Sequence, residues 1–176
     1  MTTTHADKPL RLFFSADLPP ASDLLADWVA SELAPRFPQA KWVPKQNYHI
    51  TLYFLGTVGV EQTPALKERL KVIACPASIP VRADSFLWLP DQRRPGALTL
   101  SVYSMGQLEA IAEALGNPSP LRAHITIARR VRRIDHRVLA DIEVPPFDFE
   151  LFSLSLRQSL STLHGVRYPS VLTRWL

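Results

Sequence analysis

Apolar residues run almost without interruption through Leu10-Arg11-Leu12-Phe13-Phe14-Ser15-Ala16, as in a strand buried on both faces. Pro19-Pro20 stops that run, and Ser22 or Asp23 is placed to cap a helix. In it Leu24, Leu25, Trp28, Val29 and Leu33 share one face, while Asp23, Asp27 and Glu32 stay polar; Pro35 and Pro38 end it. After Lys41-Trp42-Val43-Pro44 and the polar turn Lys45-Gln46-Asn47, a strand is expected over residues 49–55, closed by residues 56–59. Helical spacing returns over about residues 63–74, with Leu66, Leu70 and Ile73 inward.

Strand-like stretches at 81–89 and 97–103 then flank the turn Pro90-Asp91-Gln92-Arg93-Arg94-Pro95-Gly96. A third helix is predicted over 107–115, with Leu108, Ile111, Ala112 and Leu115 inward, and a strand over 124–130. Two more strands, 147–159 and 166–176, joined through a turn at Leu163-His164-Gly165, complete the pattern.

The halves echo each other. Leu12-Phe13-Phe14-Ser15, a helix and His49-Ile50-Thr51-Leu52 correspond to Leu98-Thr99-Leu100-Ser101, a helix and His124-Ile125-Thr126-Ile127. Each half reads strand, helix, strand, and the simplest expectation is two similar lobes related by an approximate two-fold axis. No long flexible stretch separates the halves, so residues 1–176 are expected to form a single two-lobed domain.

Composition changes little of this picture. Of the residues 47% are hydrophobic, which suits a folded core. No apolar run reaches the ~18 residues of a membrane span, and Met1 to Pro9 lacks a signal-peptide core. The single cysteine, Cys75, suits a reducing compartment and reads as a packing residue; a cytoplasmic monomer is expected. A net charge of +4 mildly favours an anionic partner.

The repeated His-x-Thr carries the chemistry. Alternation puts His49 and Thr51 on one face, about 6.6 Å apart along the strand, with Ile50, Leu52 and Phe54 on the other. His124, Thr126 and Ala128 share a face likewise, opposite Ile125 and Ile127. Two such strands across a cleft would present two imidazoles and two hydroxyls to one phosphodiester. One histidine takes a proton from the nucleophile and the other gives one to the leaving oxygen. The hydroxyls donate to the non-bridging oxygens. That chemistry requires no metal ion or other cofactor. Two histidines without a third ligand make an incomplete zinc site, and no Gly-x-Ser-x-Gly marks a serine hydrolase.

Arg129, Arg130, Arg132, Arg133 and Arg137 form a basic run that either attracts RNA phosphates or is simply solvated. Strict alternation places Arg130 beside His124 and Arg129 opposite, unless a bulge intervenes. Tyr53 falls on the face of His49, where it either stacks on a base or serves packing. Phe13 and Phe14 read as core; His5, His136 and His164 read as surface residues.

These segments resemble the two-histidine phosphoesterases, and within them the RNA 2′,3′-cyclic phosphodiesterases, also called the 2′-5′ RNA ligase family. The similarity runs through Arg11-Leu12-Phe13-Phe14-Ser15-Ala16, Asn47-Tyr48-His49-Ile50-Thr51-Leu52, His124-Ile125-Thr126-Ile127-Ala128-Arg129 and Gly165-Val166-Arg167-Tyr168-Pro169. It implies a bilobal α+β fold with pseudo-two-fold symmetry, antiparallel sheets lining a central cleft and helices outside. It also implies hydrolysis of a terminal 2′,3′-cyclic phosphate on RNA, or of a small cyclic nucleotide, to a 2′-phosphate. By carry-over His49 protonates the leaving 3′ oxygen, His124 activates water, and Thr51 and Thr126 bind the phosphate. The motifs alone leave the two histidine roles interchangeable. They also leave open a non-catalytic RNA-end binding module, and a ligase or phosphodiesterase acting on another nucleotide linkage. The approach to His124, residues 116–123, is shorter than in many relatives and ends in Ala123 where they often carry proline.

Overall fold

The computed structural model describes residues 8–176; His5 lies outside them. Eleven strands are defined among these residues: β1 Leu10–Asp17, β2 Lys41–Trp42, β3 His49–Val58, β4 Ile79–Leu89, β5 Ala97–Tyr103, β6 His124–Arg129, β7 Phe147–Leu151, β8 Ser153–Gln158, β9 Leu160–Thr162, β10 Gly165–Arg167 and β11 Ser170–Trp175. The helices are α1 Asp23–Trp28, α2 Thr63–Val72, α3 Gln107–Ala114 and α4 His136–Ala140.

One antiparallel sheet runs β11-β8-β1-β3-β6-β5-β4-β7, with β2 added beside β6, and β9 and β10 form a separate hairpin. The expected α+β class and two-fold repeat are present: four strands lie on each side of the β3–β6 seam. The motif strands β3 and β6 are the innermost pair of this eight-strand order. Their ladder is a single pair, Ile50 opposite Ile125. Beyond it the strands part, so the two lobes share one sheet rather than carrying separate ones.

The helices cross between halves. Trp28 of α1 stacks on Phe86 of β4 and packs against Phe147 of β7, in the second lobe. In return α3 lies against β3, and Asn117 just beyond it donates to the Leu52 carbonyl at 2.8 Å. Each half's connecting helix therefore covers strands of the other half, and one hydrophobic cluster includes residues of both. Helix α2 packs on β8 and β11, where Arg174 donates to the carbonyls of Leu70 and Ile73.

Several sequence expectations change, among them the strand expected over 166–176, which divides into β10, paired with β9, and β11, paired with β8. The helix from Asp23 winds as a π-helix over Val29–Leu33, keeping Leu25, Val29 and Leu33 buried at a spacing of four; Leu24 is 69% exposed. Strand β3 continues through Gly56, which adopts φ +76° beside a bulge, and reaches Val58. The expected strand 147–159 is two strands broken at exposed Phe152, which diverge to opposite ends of the sheet. β7 alternates buried and exposed positions as an edge strand does. β8, held between β1 and β11, is buried from Ser153 to Leu156. Continuity of apolar residues does not reveal a change of partner.

Candidate functional site

The Ile50–Ile125 pair determines what the two motifs can do together. Both isoleucines are fully buried in the core. Side chains alternate, so His49, Thr51, His124 and Thr126 all face the opposite side, and all four are half-buried there. Antiparallel register puts the histidine of each strand beside the threonine of the other: His49 near Thr126, and Thr51 near His124. The pseudo-two-fold axis passes through this pair.

Both imidazoles are oriented the same way. His49 donates from Nδ1 to the Asn47 carbonyl at 2.8 Å, and His124 from Nδ1 to the Arg122 carbonyl at 2.5 Å. In each case the carbonyl two residues earlier holds the ring and leaves Nε2 for proton transfer. His49 Nε2 lies 3.0 Å from the Thr51 hydroxyl. Burial pushes His49 down to about 4; its bond to the Asn47 carbonyl opposes this, and the Arg157 charge adds to it. Burial also lowers His124, with Arg122 and Arg129 contributing.

Beyond the threonines, both strands depart from strict alternation at the same point. β3 bulges at Leu52, because Ser15 pairs Thr51 while the next residue of β1, Phe14, pairs Tyr53. β6 bulges at Ile127, because Thr99 pairs Thr126 while Leu98 pairs Ala128. Each extra residue inverts the parity that follows. Tyr53 therefore turns to the core side, against Phe14, and is not on the face of His49. Phe54 comes to the cleft instead, 49% exposed. Ala128 is fully buried rather than beside His124, and Arg129 enters the cleft. Arg130 turns the chain away at φ +56°. Arg132, Arg133 and Arg137 are exposed on the turn and α4 that follow, so the basic run splits after its first residue.

A cavity of about 150 Å³ is lined by His49, Thr51, Phe54, Arg129, Arg11 and Tyr168, among others. Arg11 stacks on the Phe54 ring at 4.9 Å. A more open groove of about 470 Å³ lies on the far side, bordered by Thr51, His124, Arg122 and the 117–121 turn.

Residues remote in sequence support His49. Phe13, expected in the core, is buried on the cleft side with its ring 5.0 Å from that of His49, and Tyr168 meets His49 edge-on at 5.0 Å. Asp17, directly across the ladder from His49, accepts from Arg157 at 2.7 Å and from Ser153 and Ser155 at 2.9 and 2.5 Å. Arg157 also donates to the Tyr168 carbonyl at 2.9 Å, which ties the ion pair to the ring beside His49. The sequence reading missed this group, although Ser153-x-Ser155-x-Arg157 in an otherwise apolar strand marks a polar face. Cys75 is half-buried with its thiol pushed up by burial, opposite to what a nucleophile needs. His136 packs on Trp88, and His164 is exposed near the β9–β10 turn.

The sequence and the fold are similar to those of known phosphoesterases. A family model for LigT-like phosphoesterases matches residues 18–99. An RNA 2′,3′-cyclic phosphodiesterase of Thermotoga maritima is 26% identical over 172 residues, covering 90% of this chain and 91% of the relative. One of Archaeoglobus fulgidus is 28% identical over 177 residues, covering 92% and 98%. The fold is that of Escherichia coli LigT, crystallised with ATP: TM-score 0.78 at 24% identity, covering 96% of this chain and 98% of that one. By these sequence similarities and by its fold the chain resembles the LigT-like phosphoesterases. Among the described residues no helix is long and apolar enough to cross a membrane.

Proposed function

We propose that the protein is an RNA 2′,3′-cyclic phosphodiesterase that opens a terminal cyclic phosphate to a 2′-phosphate, with His49 and His124 as acid and base. The observation that carries this reading is the Ile50–Ile125 pair, which turns two His-x-Thr motifs toward one cleft. The names of the two curated relatives support the substrate, as does a solved structure of E. coli LigT with 3′-AMP.

The cyclic phosphate sits between the strands. Thr51 and Thr126 donate to its non-bridging oxygens, Thr51 exchanging its present partner, His49 Nε2, for the phosphate. His124 Nε2 takes a proton as the water oxygen bonds to phosphorus. The bond from phosphorus to O3′ breaks, and O3′ takes the proton of His49 Nε2, leaving the phosphate on O2′. Burial keeps His49 neutral until an anion arrives. The substrate's negative charge favours the imidazolium, so the acid is charged in the complex. The imidazoles and hydroxyls fill every role in this sequence, so the reaction is proposed to be metal-independent.

The test is product analysis on RNA ending in a 2′,3′-cyclic phosphate, with EDTA present. Conversion to the 2′-phosphate is expected. His49→Ala and His124→Ala should each lose roughly 10²- to 10⁴-fold in rate, the range for one acid–base group. Wild-type rates in either variant, or a 3′-phosphate product, would sink the proposal.

A further inference from the structure

Lys41 of β2 lies directly opposite Arg129 of β6 in the antiparallel ladder. Both are exposed, and residues opposite one another project to the same face. Like charges at such a position are destabilising in a sheet. Among the described residues no carboxylate lines the cavity beside them. It is a separate space of about 140 Å³, with Val43, Pro44, Val166 and Tyr168 among its walls and Lys41 and Arg129 at its margin. Arg129 and Tyr168 also line the cavity that holds His49 and Thr51, so the two spaces adjoin across these residues. The outer wall belongs to the β9–β10 hairpin, tied down by Asn47 Nδ2, which donates to the Val166 carbonyl at 2.9 Å. Asn47 also provides the carbonyl that orients His49, so this wall and the candidate acid share one anchor.

Two adjoining spaces of similar size, with cations where they meet, match two consecutive nucleotides of a single strand. A cavity of roughly 150 Å³ accepts one six-membered aromatic ring. We infer that the Lys41–Arg129 pair binds the phosphodiester on the 5′ side of the terminal nucleoside, and that the cavity walled by Val43, Pro44 and Val166 receives the base of the preceding nucleotide. The inference rests on the cyclic phosphodiesterase reading of the adjoining site. It makes an oligonucleotide end the preferred substrate over a free cyclic mononucleotide. The anion removes the repulsion between the two cations, and the apolar walls take a base face without selecting its identity, as in other single-strand sites.

The experiment compares kcat/KM on a dinucleotide ending in a 2′,3′-cyclic phosphate with kcat/KM on a mononucleoside 2′,3′-cyclic phosphate. Wild type is expected to favour the dinucleotide. Lys41→Gln, at an exposed position on a two-residue strand, should reduce that ratio roughly 5- to 10-fold, the scale of one charge-assisted contact. It should also lessen the salt dependence measured on the dinucleotide by about 0.7 in log–log slope. Val166→Asp, exposed on the hairpin, introduces a carboxylate at the cavity wall and should lower the ratio as well. A wild-type ratio near one, or a ratio unmoved by both variants, would overturn the inference. Should neither substrate turn over, the enzymatic reading fails. Calorimetric affinities for the dinucleotide and mononucleoside 2′-phosphates then supply the same ratio, and the inference stands or falls on that.

Discussion

The same tripeptide occupies two different settings. His49 is enclosed by Phe13 and Tyr168, faces Asp17 across the ladder, and has its Nε2 at the Thr51 hydroxyl. His124 borders an open groove, faces Ser101, and has Arg122 and Arg129 nearby. The fifth residue after each histidine differs too: Phe54 offers an aromatic face, Arg129 a charge. A two-fold backbone thus carries an asymmetric pair of imidazoles. The acid–base catalysis proposed for this pair would use such asymmetry, because it favours opposite protonation states of the two histidines in one complex.

The largest effect on this comparison should come from Asp17→Ala. Removing the carboxylate leaves the largely buried Arg157 guanidinium without its counter-charge, at a cost of about 3 to 5 kcal/mol in unfolding free energy. Ser101→Ala, the substitution at the corresponding place across from His124, should cost about 1 kcal/mol or less. Urea unfolding of both variants measures the difference. Equal losses would mean that the lobes are supported alike.

Acid should distinguish the lobes next. In the folded protein His49 resists protonation down to about 4, whereas in the unfolded chain it binds a proton near its ordinary 6.5. Between these values the unfolded state holds more protons, so stability rises with pH. The contribution is complete above 6.5 and is lost as pH falls toward 4, amounting to about 3 kcal/mol at most. Unfolding free energies of wild type and His49→Gln should therefore differ in slope across pH 4 to 6.5, with the variant flatter. Parallel curves would show that burial of this imidazole does not control acid stability.

The smallest effect concerns Phe54 and Arg129. Arg129→Gln should weaken binding of a cyclic-ended oligonucleotide roughly tenfold and lower the salt slope by about 0.7. Phe54→Ala should weaken it by a similar factor with the salt slope unchanged, since stacking releases no counterions. Titrations at several salt concentrations separate the two. Identical slopes would mean that both residues act through packing alone.

The part of the site legible before folding was the part governed by local geometry. His49 and Thr51 share a face, and so do His124 and Thr126, because two-residue periodicity holds over three consecutive residues. It fails at the next step, where Leu52 and Ile127 bulge, and every assignment beyond them reversed: Tyr53, Phe54, Ala128 and Arg129. A bulge is a property of the pair of strands, so a single strand's pattern does not announce it. The grouping of Asp17, Arg157 and Tyr168 was missed for a related reason. Asp17 meets Arg157 through the β1–β8 pairing, across more than a hundred residues, and the return of the chain adds Tyr168.

By itself, then, the sequence determined which residues are apolar with strand or helix spacing, where prolines and glycines interrupt them, and that one His-x-Thr unit occurs twice in matching contexts. Side-chain alternation, helical spacing and turn chemistry act over a few residues and need no partner. Only the tertiary structure decided that Ile50 meets Ile125, that β7 and β8 separate to opposite ends of the sheet, and that each half's helix covers the other's strands. It also made one imidazole more enclosed than the other. Those outcomes depend on which surfaces bury each other, a balance struck over the whole chain at once.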